Sequence, residues 1–83
     1  MNRFTVFGRK GCGFCQRAQQ VLASRELPFR YVDILEEGIS QEDLEKTVGK
    51  PVKTVPQIFY GQEYVGGYQE LEALLKQPDS LIA

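Results

Sequence analysis

The chain has 83 residues, 42% hydrophobic and 25% charged, with a net charge of −1, which leaves room for one small globular domain over residues 1–83 and no second core. No run of about 18 apolar residues is present, which excludes a membrane-spanning helix, and no charged-then-apolar leader opens the chain, so the expected location is cytoplasmic. Two cysteines are too few for a disulfide-stapled secreted scaffold, and the absence of histidine removes the usual general base and the commonest metal ligand, leaving few chemistries.

Phe4-Thr5-Val6-Phe7, ended by Gly8, reads as a strand buried on both faces. From Gly13 to about Arg25 the apolar positions Phe14, Ala18, Val21 and Leu22 recur at helical spacing, and Leu27-Pro28 closes the segment. Phe29 to Ile34 is β-rich, and its place after a helix predicts a right-handed crossover to a parallel neighbour of the first strand. Ser40 followed by Asp43 reads as a loose capping box, with Gly49 as the stop of a short second helix. Gln57–Tyr60 and Glu63–Val65 flank Gly61-Gln62, the glycine-first loop of a type II′ hairpin. After Gly66-Gly67, the residues Leu71, Leu74 and Leu75 mark a last helix that Pro78 ends, with Leu81 and Ile82 docking or fraying beyond it. The order β-α-β-α-β-β-α predicts an α/β fold, a four-stranded mixed sheet with helices on both faces.

Cys12-Gly13-Phe14-Cys15 falls at the first strand-to-helix junction. A thiol at a helix N-terminus meets free backbone N–H groups and the positive end of the dipole, which favour the thiolate, so Cys12 reads as the nucleophile. Cys15, one helical turn on and less accessible, reads as the resolving thiol. Residues 1–30 carry six basic side chains against one acid, and three of them, Arg9, Lys10 and Arg17, flank the pair and are expected to lower the Cys12 pKa and attract an anionic thiol. The bases form no dense tract, so no nucleic-acid partner is expected, and no membrane. Zinc needs four ligands where the chain offers two thiols, and a disulfide closing so short a loop adds little as a structural staple. A redox dithiol is the reading that fits.

Phe7 to Cys15, Tyr31-Val32-Asp33-Ile34, Gly49 to Phe59 with Thr54-Val55-Pro56 inside it, and Gly66-Gly67-Tyr68 together resemble the glutaredoxin family, specifically the short dithiol glutaredoxins of bacterial and phage type. The resemblance implies a thioredoxin-like fold and a glutathione-dependent thiol–disulfide oxidoreductase acting through Cys12 and Cys15, which alternate between a dithiol and a redox-active disulfide. It implies a cis bond before Pro56, with the Val55 backbone turned toward Cys12 to pair with an extended cysteinyl substrate. It also places glutathione against Arg9, Lys10, Phe14, Thr54, Val55, Pro56, Gly67, Tyr68, Gln69 and Glu70, with Lys50 and Lys53 as further candidates for its glycine carboxylate. The implied partners are glutathione, as reductant, and disulfide-bearing client proteins, a ribonucleotide reductase among the candidates, served by a monomer without a metal.

Gly13-Phe14 replaces the family's proline and tyrosine, and Gln69-Glu70 replaces a small hydroxyl residue and Asp, where Gln69 is expected to be a poorer N-cap and Glu70 to pair with the substrate ammonium. Two other readings stay open at this point. One is an iron–sulfur cluster held between two chains by Cys12 and glutathione; the other is a thioredoxin-type reductant.

Overall fold

The computed structural model describes residues 3–76; the expected stop at Pro78 and the docking of Leu81 and Ile82 lie outside the described residues. The elements are β1 (Phe4–Gly8), α1 (Gly13–Ser24), β2 (Phe29–Asp33), α2 (Gln41–Val48), β3 (Gln57–Tyr60), β4 (Glu63–Gly66) and α3 (Tyr68–Lys76). They form one mixed sheet in the order β2-β1-β3-β4, with β1 parallel to β2 and antiparallel to β3. This is the expected fold. Because β1 is an inner strand, its C-terminal end at Gly8 delivers the cysteine turn to the middle of the sheet's edge.

One core dominates. Phe4 and Val6 of β1, Ala18 and Leu22 of α1, Ile58 of β3, and Leu71 and Leu75 of α3 are buried together, so α1 and α3 share one face of the sheet. The alternation of β1 follows from this. Phe4, Val6 and Gly8 are buried while Thr5 and Phe7 are half-covered, which corrects the expectation of a strand buried equally on both faces. On the other side Phe7 meets Phe59 edge-to-face at 5.9 Å and Phe59 meets Tyr64 at 5.3 Å. Leu44 of α2 and Val52 are buried outside the main cluster.

Local signals fix the ends of the elements. Ser40 Oγ accepts from the Asp43 N–H while Asp43 Oδ2 accepts from the Ser40 N–H, a full capping box, and Gly49 closes α2 in the left-handed region at φ 90°. Gly61 has φ 60° and Gln62 is not among the residues of positive φ, the pattern of a type II′ turn. β2 stops one residue short of the expected Ile34, because Asp33 Oδ1 accepts from the N–H groups of Leu35 and Glu36 and turns the chain. At the far end of α1, Arg25 Nη1 donates to the Leu75 carbonyl at 3.1 Å and ties that end to α3.

Candidate active site

Cys12 is the N-cap of α1, in extended conformation at φ −94° and ψ 110°, and its sulfur accepts from the Cys15 N–H at 3.1 Å. The first turn of α1 contains no acid. The helix therefore offers its free amides to the Cys12 sulfur with no carboxylate to oppose them, the setting that favours a thiolate in the reduced form. Cys12 and Cys15 are joined as a disulfide with Cα atoms 5.2 Å apart. The two sulfurs differ in access: Cys15 is fully buried, whereas Cys12 is partly exposed.

The Val55–Pro56 bond is cis, and the Val55 carbonyl oxygen lies 3.6 Å from the Cys12 sulfur. Val55 belongs to no helix or strand, so its backbone is free to pair with an incoming chain beside the sulfur. The neighbouring Gln57 is buried and fully used, its Nε2 donating to the Thr54 carbonyl at 2.8 Å and its Oε1 accepting from the Tyr64 hydroxyl. That pair anchors the loop from which Val55 projects.

A groove of about 280 Å³ runs from this loop to the start of α3. One side is Thr54, Val55 and Pro56; the other is Phe14, Gly67 and Tyr68, with Gln69 and Glu70 at the end. Phe14 and Tyr68 stack at 5.7 Å, and the Arg17 guanidinium sits 5.6 Å above the Phe14 ring. Phe14 was expected on the buried stripe of α1. It is 52% exposed instead, and its ring walls the groove.

The N-terminus of α3 is open. Gly67 is its cap and has no side chain to satisfy the amides of Tyr68, Gln69 and Glu70. Glu70 Oε1 accepts from the Gly67 N–H at 2.7 Å, which leaves Oε2 for a cation. Gln69 is the second residue of the helix and not its cap, which corrects the expectation that its side chain would do the capping. The close fit of the Glu70 side chain explains Gly66: a Cβ there would meet Glu70 Cγ at 2.8 Å, at a φ of 125°.

The basic residues separate. Arg9 and Lys53 line a neighbouring cavity of about 310 Å³ that shares Thr54 and Val55 with the groove. Lys10 lines neither; it pairs with Glu36 at 3.4 Å on the side of β2. Lys50 lies 5.0 Å over the Tyr64 ring. Among the described residues no cluster of three or more His, Cys, Asp or Glu is placed to hold a metal.

Comparison with known proteins decides the family. The glutaredoxin family model matches residues 4–65. The chain belongs to the glutaredoxin family. It is 51% identical to glutaredoxin 1 of Salmonella typhimurium over 86 residues, covering 96% of this chain and 99% of that one. It is 46% identical to a glutaredoxin of Haemophilus influenzae, covering 94% and 95%. The solved structure of reduced Escherichia coli glutaredoxin superposes with a TM-score of 0.80 at 43% identity, over 92% of this chain and 95% of that one. With its Cys12–Cys15 pair, this glutaredoxin is a thiol–disulfide oxidoreductase of thioredoxin-like fold.

Proposed function

We propose that the reductant is glutathione and that the substrates are glutathione mixed disulfides and protein disulfides. The carrying observation is the groove itself. It offers a Val55 backbone outside any strand, 3.6 Å from the partly exposed Cys12 sulfur, the first amides of α3 above a glycine cap, and a carboxylate oxygen of Glu70. A γ-glutamyl-cysteinyl-glycine tripeptide matches these in turn. Its thiol meets Cys12, its cysteine backbone pairs with Val55, its α-carboxylate takes the amides and its ammonium takes Glu70. The glycine carboxylate then points toward Arg9 and Lys53. A ribonucleotide reductase is a candidate protein client by family likeness.

In this mechanism the Cys12 thiolate attacks a mixed disulfide R–S–SG at the glutathione sulfur, releasing R–SH after protonation and leaving a Cys12–glutathione disulfide that a second glutathione reduces. With a protein disulfide, Cys12 forms a bond to one client sulfur, and Cys15 displaces the client to leave the Cys12–Cys15 disulfide. Two glutathione molecules restore the dithiol and leave as glutathione disulfide. The decisive assay is reduction of the mixed disulfide of glutathione and 2-mercaptoethanol, coupled to glutathione and its reductase. Cys12→Ser is expected to abolish turnover. Cys15→Ser is expected to keep it while losing reduction of protein disulfides. Full activity of Cys12→Ser would overturn the assignment of roles.

A further inference from the structure

The Tyr31 hydroxyl borders a reacting sulfur that the groove does not touch. Tyr31 of β2 is aligned with Val6 of β1, and its ring packs against the main core. A Cβ placed on Gly8 would lie 2.7 Å from Tyr31 Oη and 2.8 Å from Cys15 Sγ. The phenol oxygen and the buried sulfur thus edge the same notch, which glycine keeps empty. Tyr64 and Tyr68 commit their hydroxyls to Gln57 and Glu72, whereas among the described residues the Tyr31 hydroxyl has no protein acceptor. Burial, and after it the Asp33 and Glu36 carboxylates, raises its pKa above the ordinary 10.0, so it holds its proton at neutral pH.

Cys15 presents a physical problem that Cys12 does not. It is fully buried, and a sulfur that becomes anionic away from water is costly unless a donor reaches it. We propose that Tyr31 donates a hydrogen bond to the Cys15 sulfur each time that sulfur bears charge in the exchange. When glutathione thiolate attacks Cys12, a glutathione–Cys12 bond forms, the Cys12–Cys15 bond breaks, and the electron pair moves to Cys15. Tyr31 Oη–H stabilises that thiolate until it takes a proton from solvent. In the opposite direction the Cys15 thiol gives up its proton through solvent to the departing client thiolate, and the same hydroxyl holds the developing charge as the Cys12–Cys15 bond forms. Tyr31 keeps its own proton throughout. The inference rests on the resolving role given to Cys15, which the Cys15→Ser variant tests by itself.

The test is Tyr31→Phe, which keeps the ring and removes the hydroxyl, made in the natural chain and in the Cys15→Ser background. With insulin as the protein disulfide, Tyr31→Phe is expected to slow reduction at least about tenfold, the lower end of what losing a hydrogen bond to a charged group costs. In the Cys15→Ser background, turnover of the mixed disulfide of glutathione and 2-mercaptoethanol is expected to be the same with Tyr or Phe at position 31. That second arm also reports that the variant folds. Equal losses in both arms would mean that Tyr31 only supports the fold, and no loss with insulin would mean that the hydroxyl does nothing for Cys15; either result overturns the proposal. Retained insulin reduction by Cys15→Ser alone would instead defeat the resolving role.

Discussion

At Gly13 the backbone is already arranged for proline. The residue opens α1, a Cβ there meets nothing within 4 Å, its φ is not positive, and Cys12 before it is extended. Proline at a first helical position forfeits only an amide that has no intrahelical partner, and it restricts the unfolded chain. Gly13→Pro is therefore expected to stabilise the protein by about 0.4–1 kcal/mol, read as a higher melting temperature with the helix content unchanged. Glu70 is open to a different test. Its Oε1 caps the Gly67 amide, and an amide oxygen in Glu70→Gln preserves that bond while removing the charge proposed to meet the glutathione ammonium. The variant is expected to raise the KM for glutathione about two- to fivefold, the range of an exposed ion pair, with kcat little changed. Steady-state kinetics across glutathione concentrations check it.

Helix ends were legible because their chemistry is local. Ser40, Asp43 and Gly49 bracket α2, and Gly61 turns the hairpin, through contacts only a few residues apart in sequence. The box makes a prediction about acid. The Asp43 carboxyl is held below its ordinary 3.8, first by the Ser40 backbone N–H and then by the Ser40 hydroxyl. A carboxylate depressed in the folded state stabilises above its unfolded pKa and ceases to do so as the pH falls through the folded value. The difference in melting temperature between the natural chain and Asp43→Ala should hold at neutral pH and close as acid takes the pH below 3.8. Other features depend on what an element meets. The periodicity that contains Phe14 does not reveal that its ring stays exposed in the groove wall, and the flank of Cys12 does not reveal that Glu36 pairs with Lys10. The open start of α3 is legible in Gly66-Gly67, a pair with no side chains to cover the first amides, whereas the cap itself falls on Gly67 and not on Gln69, which lies inside the helix.

Across the whole molecule, α3 carries half of the groove and a large part of the core. Leu71 is fully buried one residue after Glu70, and its N–H donates to the Gly67 carbonyl at 3.0 Å. Leu71→Ala is expected to cost about 2–5 kcal/mol and, on the proposed glutathione site, also to raise the KM for glutathione, because that side chain holds the helix start that lines the groove. Chemical denaturation and kinetics on the same preparation check the coupling. The notch at Gly8 that Tyr31 and Cys15 both border belongs to this scale too, since it needs the register of two parallel strands and the placement of α1; the sequence shows the residues, and only pairing brings them to one place. The unequal burial of the two sulfurs carries one more consequence. A bulky maleimide added to the reduced, native enzyme should tag a single thiol per molecule, and oxidative damage by hydrogen peroxide should begin at that same atom, while its partner surfaces for labelling only when the chain is unfolded.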